Sequence, residues 1–166
     1  MSKAAFTLRV AVPDDARKVS DVLAASYSTL YRGWYRDDVL AASLPAMTRA
    51  RPELLASGRY FICEQEGSVI SCGGWSLAPP QGAKETGKGH LRHFGTRPDF
   101  LGKGCASAIV ERCLDDARAA VCAEMEVLSS LTAEAFYAGR GFRTVSAAAV
   151  TIGGAAFACM LMRRPL

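Results

Sequence analysis

The chain has 166 residues, half of them hydrophobic and 22% charged, with a formal net charge of +4. That length suits one domain, expected over residues 1–166, and that composition excludes a disordered chain. Every apolar stretch is broken by charge, Gly or Pro well short of the ~18 residues of a membrane span, and the cations are dispersed rather than gathered into a stripe, so neither a membrane nor a nucleic acid is expected as a partner. Residues 1–12 carry Lys3 and Arg9 but no apolar core or small-residue cleavage site, so no secretory signal is read and a cytoplasmic location is expected. The six cysteines form no Cys-X-X-Cys pair and sit among apolar neighbours, which reads as small buried hydrophobes rather than disulfides.

Thr7–Val12 alternates and reads as a first strand. Pro13-Asp14-Asp15 then opens a helix, with Pro in the first turn and carboxylates at its positive end. Ala16, Val19, Leu23 and Tyr27 recur at helical spacing and predict its buried face. A second helix is predicted from about Asp37 to Ala46, and a third over Arg51–Ser57, closed by Gly58. Tyr60–Gln65 and Ser68–Leu77 read as a hairpin turning at Glu66-Gly67. Ala78–Gly89, with its prolines and glycines, reads as a loop, and Leu91–Thr96 as the next strand. Gly104–Val121 is a helix with Ile109, Val110, Cys113, Leu114 and Ala117 on one face. Met125–Ser129 is a short strand and Ala133–Ala138 a short helix stopped by glycines. Thr144–Ile152 and Ala155–Arg163 form a last hairpin around Gly153-Gly154. The fold class is therefore α/β with a mixed sheet and helices on its faces, not the regular alternation of a doubly wound fold.

The most informative stretch is Phe94-Gly-Thr-Arg-Pro-Asp-Phe-Leu-Gly-Lys-Gly-Cys-Ala106. A strand runs through a Pro turn into a Gly-X-Gly loop, and a helix begins at once. That order sets free backbone N–H groups at a positive helix end, a seat for phosphate. It lacks the third glycine and the acidic partner of a dinucleotide fingerprint. A second glycine-rich run, Gly82-Ala-Lys-Glu-Thr-Gly-Lys-Gly89, approaches a Walker A pattern. It has Gly where a hydroxyl should hold Mg²⁺, and it leads into a strand instead of a helix. His90 and His93 are the only histidines. No further ligand at metal spacing accompanies them, so no metal is expected, and they stand as candidate general bases.

A second motif fixes the owner of the phosphate seat. Ser129-Ser-Leu-Thr-Ala-Glu-Ala-Phe-Tyr-Ala-Gly-Arg-Gly-Phe142 follows a strand and closes a short helix. With it the chain resembles the GCN5-related N-acetyltransferase (GNAT) family. The family loop Arg/Gln-X-X-Gly-X-Gly/Ala maps onto Leu101, Gly102, Lys103, Gly104, Cys105 and Ala106. The later motif, Asn-X-X-Ala-X-X-Phe/Leu-Tyr with a Gly-Phe pair, maps onto Ser130, Ala133, Phe136, Tyr137, Gly141 and Phe142. The sequence departs from the pattern at Leu101, where a polar side chain is usual, and at Ser130, where Asn is common.

The resemblance implies a central, mostly antiparallel sheet of about seven strands and acetyl-CoA as co-substrate. It implies that pantetheine pairs with the strand at Phe94, Gly95 and Thr96, and that pyrophosphate lies on residues 101–106. Ser130, Ala133 and Phe136 then belong to the cofactor side. Tyr137 corresponds to the tyrosine that hydrogen-bonds or protonates the departing thiolate. Transfer to a primary amine of a small molecule or peptide would be by direct attack. The base stays open between His90, His93 and Glu64. Tyr27, Tyr31, Trp34 and Tyr35 form either an acceptor pocket or a packing cluster. A homodimer is compatible with the sequence, as is an alternative role as a non-catalytic acyl-CoA sensor.

Overall fold

The computed structural model describes residues 5–166; Lys3 lies outside them. In chain order the elements are β1 (Thr7–Val10), α1 (Ala16–Leu30), α2 (Asp37–Met47), α3 (Pro52–Leu55), β2 (Tyr60–Gln65), β3 (Ser68–Ser76), β4 (Lys88–Thr96), α4 (Cys105–Ala119), β5 (Glu124–Ser130), α5 (Glu134–Ala138), β6 (Arg143–Ile152) and β7 (Ala155–Pro165). Short 3-10 turns at Pro13–Asp15 and Pro98–Phe100 lead toward α1 and α4. The strands form one seven-stranded sheet in the order β1-β2-β3-β4-β5-β7-β6. Among the described residues only the β4–β5 pair of this sheet runs parallel. This mixed sheet of seven strands, mostly antiparallel, is the one that the resemblance implies.

The turn from β1 into α1 is fixed by Asp15. Its carboxylate accepts from the Val12 N–H at 2.8 Å and takes two bonds from the Arg9 guanidinium, at 2.9 and 3.0 Å. Arg9 thereby holds this carboxyl below its ordinary range. Val19, Val22, Leu23 and Tyr27 of α1 pack with α2, α3 and one face of the sheet. The other face carries α4, whose Ile109, Val110, Cys113, Leu114 and Ala117 meet Phe61, Leu91, Met125, Val127 and Met162. All six cysteines are free and buried, four of them in this second layer and two in the first or at its edge, where their size fits close packing.

Several boundaries move by a few residues, and two of the shifts bear on the site. β4 begins at Lys88 rather than Leu91, because Lys88, Gly89 and His90 pair with Glu124, Met125 and Glu126 of β5. The near-Walker glycines thus feed a strand, and the Lys88 ammonium is held by Glu85, Glu124 and Glu126 at 2.7, 3.3 and 3.4 Å. α4 begins one residue later than predicted, with Gly104 as its left-handed cap at φ +86. Among the described residues, no helix is long and apolar enough to cross a membrane.

Candidate active site

β4 and β5 separate after a short common stretch. Their pairing ends at His90 and Glu126. Beyond that point β4 stays with β3 as far as Thr96, while β5 stays with β7 as far as Ser130. The sheet therefore opens into a wedge between Leu91–Thr96 and Val127–Ser130. Its strand edges offer backbone N–H and C=O groups to whatever lies between them.

A β-bulge shapes one wall. Against β3, Cys72 faces Gly95 and Gly74 faces Arg92, so His93 and Phe94 together stand opposite Gly73. His93 takes φ +58, a conformation that His, Asn and Asp tolerate better than most residues. The Tyr60 hydroxyl donates to the His93 carbonyl at 2.6 Å, and the Tyr27 hydroxyl donates to the Phe94 carbonyl. The Phe94 ring lies on Gly73, where a Cβ would come within 2.6 Å of it, and meets Tyr137 edge-on at 6.2 Å. Thr96 donates its N–H to Ser26 Oγ at 3.3 Å, and Ser71 Oγ donates to the Gly95 carbonyl at 3.2 Å. Part of the backbone that the sequence assigns to pantetheine is therefore already used internally.

Tyr137 sits on α5 between Phe136 and Phe142, with ring centroids 5.2 and 5.7 Å away. Burial pushes its phenol far above the ordinary value, so it keeps its proton at any physiological pH. Tyr31, the residue that caps the end of α1, approaches from the opposite face, stacked on Tyr27 at 4.8 Å and near the Ser130 side chain. Tyr35 continues the row. It stacks on Phe157 at 4.3 Å, donates to the Ala158 carbonyl and accepts from the Leu131 N–H at 2.8 Å. These three tyrosines thus pack and bond to the sheet, whereas Trp34 beside them is 56% exposed.

At the far end of β4, Leu101, Gly102, Lys103 and Gly104 form an exposed loop with Gly102 and Gly104 left-handed, and Cys105 and Ala106 open α4. The first intrahelical bond runs from the Ala108 N–H to the Gly104 carbonyl, and no side chain caps the end. The N–H groups of residues 105–107 are consequently free of helical partners. Nothing lies within 4 Å of a Cβ built on Gly102 or Gly104. The residues fit a pyrophosphate: an open nest of donors at the positive end of a long helix, with the Lys103 side chain exposed beside it.

The histidines differ. His90 is buried, its Nδ1 lies 3.7 Å from Glu126 Oε1, and its Nε2 has no partner. It borders a cavity of about 230 Å³ lined by the Pro79–Gln81 loop, Glu126, Leu128 and Leu161. Burial, Lys88 and Arg92 lower its pKa, against the pull of Glu126. His93 donates through Nε2 to the Met47 carbonyl at 2.6 Å, and its other nitrogen is buried without a partner. Burial lowers its pKa to about 4. These surroundings do not support His93 as a base near neutral pH, because its outward nitrogen is tied to α2. Glu64, the remaining sequence candidate, is excluded by place. It lies on β2, paired with Arg9 of β1 and two strands away from the wedge. Sequence reading missed Glu126, although a charge alternating with Met125 and Val127 on a short strand signals a carboxylate facing the layer opposite α4.

Fold and wedge together define an acyl-CoA N-acyltransferase-type protein. The family model for the acetyltransferase (GNAT) family matches residues 24–142, and the chain belongs to this family of acetyl-CoA-dependent enzymes. No curated protein matches the chain. Among solved structures it is similar to a GCN5-related N-acetyltransferase from Rhodopseudomonas palustris, with 21% identity, a TM-score of 0.83 and coverage of 100% of this chain and 99% of that one. It is also similar to the PaiA N-acetyltransferase of Thermoplasma acidophilum in complex with coenzyme A, with 13% identity, a TM-score of 0.73 and coverage of 98% and 99%. A GNAT acetyltransferase of Brucella melitensis in complex with acetyl-CoA shares 20% identity and a TM-score of 0.57 over 84% and 83% of the two chains.

Proposed function

We propose that this protein transfers an acetyl group from acetyl-CoA to a primary amine of a small molecule or peptide by direct attack. The observation that carries this reading is the wedge between β4 and β5, with a bulge in its β4 wall, a protonated tyrosine packed against that bulge and a free helix N-terminus beyond its open end. Acetyl-CoA supplies the activated acyl group as a thioester. Gly102–Ala106 hold its pyrophosphate through backbone N–H groups, and Lys103 adds charge. The Phe94 N–H, which lies at the bulge, would donate where negative charge develops on the acyl oxygen. Tyr137 donates a hydrogen bond toward the departing sulfur. In the same dry pocket a thiolate is also made more basic, so burial does not by itself disfavour the transfer.

His90 takes the proton of the incoming ammonium. Glu126 favours the tautomer with the proton on Nδ1, which leaves the unpartnered Nε2 as acceptor. Its lowered pKa keeps the ring neutral and ready at neutral pH.

The test combines calorimetry with acetyl-CoA and release of CoA thiol over a panel of amines. Tight binding with turnover on at least one amine is expected. Binding without turnover on any amine would favour the sensor role, and absence of binding would overturn both readings.

A further inference from the structure

Arg92 stands out among the cations near the wedge. Lys88 is surrounded by three carboxylates, and Arg163 is bonded to Glu126 at 2.8 Å. Arg92 is half-buried, and among the described residues no carboxylate forms an ion pair with it. Its one side-chain hydrogen bond runs from Nη1 to Ser76 Oγ, at 3.0 Å. The charge that weighs most on it is Arg51, which repels it; Glu53 attracts it more weakly. Withdrawing a guanidinium from water without a counter-charge is unfavourable, so the folded chain carries an unmet demand for an anion here.

The position of this demand is informative. Arg92 and His90 lie two residues apart on β4 and face the same side of the sheet. Ser76, which holds the guanidinium, is the β3 residue directly opposite His90. The cation therefore leans back along the strand to the register position of the imidazole, and it is the imidazole that borders the cavity beside the Pro79–Gln81 loop. It is also on the layer away from α4, so the pyrophosphate seat lies at the other end of the strand and does not answer it.

We infer that the acceptor is an amino acid, an amine that also carries a carboxylate, with that carboxylate held by Arg92 beside His90. A guanidinium has five N–H donors in a planar fork, and only one is engaged here, which leaves an edge for bidentate recognition. Because Arg92 and His90 are only two positions apart on one strand face, the amine is expected to be separated from the carboxylate by only a few bonds. The inference rests on the acetyltransferase reading.

The experiment measures kcat/KM with acetyl-CoA for the common amino acids, β-alanine and γ-aminobutyrate, each against its carboxamide. The acid is expected to exceed its amide by about tenfold or more for the best substrate, and Arg92→Gln to reduce that ratio to about two, chiefly through KM. Arg92→Lys should restore part of the ratio, since it keeps the charge but not the fork. In parallel, the melting temperature of the CoA-bound protein is followed with an N-acetyl amino acid and with its amide, the acid alone raising it and only in the wild type. Equal use of acids and amides, an unchanged ratio in Arg92→Gln, or neither turnover nor a product-dependent shift would overturn the inference. Failure to bind acetyl-CoA would instead refute the proposed function.

Discussion

His93 makes a quantitative prediction about acid stability. In the folded chain its pKa is lowered to about 4, because the ring is enclosed between α2 and the sheet and sits near Arg51 and Arg92. In the unfolded chain it returns to about 6.5, so as pH falls the unfolded state takes up the proton first. The contribution is complete above the unfolded value and is lost as pH falls toward the folded one. Between about pH 7.5 and about pH 4.5 this amounts to about 2.5 kcal/mol of lost unfolding free energy. His93→Asn removes the titrating group and keeps a residue suited to φ +58. Urea unfolding, followed through the buried Trp75, measures the acid-induced loss in each protein. Asp15 and His90 titrate in both and cancel in the comparison. The wild type should lose about 2.5 kcal/mol more than the variant over this interval. Equal losses would refute the placement of His93 as a buried neutral ring.

Further outcomes test the wedge and its loop. Gly104→Glu puts a carboxylate and a strained left-handed residue into the nest, and calorimetry should show acetyl-CoA affinity falling by more than about a hundredfold. Leu101→Arg restores a side-chain contact at an exposed position and should tighten the same affinity by about tenfold. Tyr137→Phe should reduce kcat by about a hundredfold with little change in acetyl-CoA affinity; unchanged kcat would remove it from the chemistry. Gly73→Ala drives a methyl group into the Phe94 ring and should cost about 1–3 kcal/mol of stability together with activity, read from melting and thiol release.

The order of elements was legible because each carries a local cause. Pro13-Asp14-Asp15 opens α1, the 3.6-residue spacing of α4 marks its buried face, and Gly153-Gly154 turns the last hairpin. Gly153 also has a reason that local rules do not contain. A Cβ there would lie 1.9 Å from the Ala42 carbonyl, because α2 crosses the hairpin. The glycine loop was read from its local strand–turn–helix order, and the Tyr137 segment from the family resemblance it carries. What stayed hidden depends on pairing between distant strands. Glu126 meets His90 only because β4 and β5 run side by side for three residues, and Arg92 reaches Ser76 only through the β3 register. Periodicity assigns such residues to a face of a strand, but it does not say which neighbour they meet there.

The bulge in β4 shows why one unpaired residue matters more than the strand's composition. Strict alternation would put His90, Arg92 and Phe94 on one face and Leu91 and His93 on the other. The inserted residue breaks that rule. His93 joins Arg92 on the side of α1 and α2, where its ring reaches the Met47 carbonyl, and Phe94 turns to the α4 side, where it meets Tyr137. The same step brings the Phe94 and His93 carbonyls under the hydroxyls of Tyr27 and Tyr60, so the kink is held from α1 and from β2 at once. A left-handed residue tied at its backbone and at its ring has little freedom to relax, and its strain is offset by packing on both sides. The wall of the wedge is thereby rigid before any ligand arrives, which is the condition under which a backbone N–H can stabilise developing charge without reorganising.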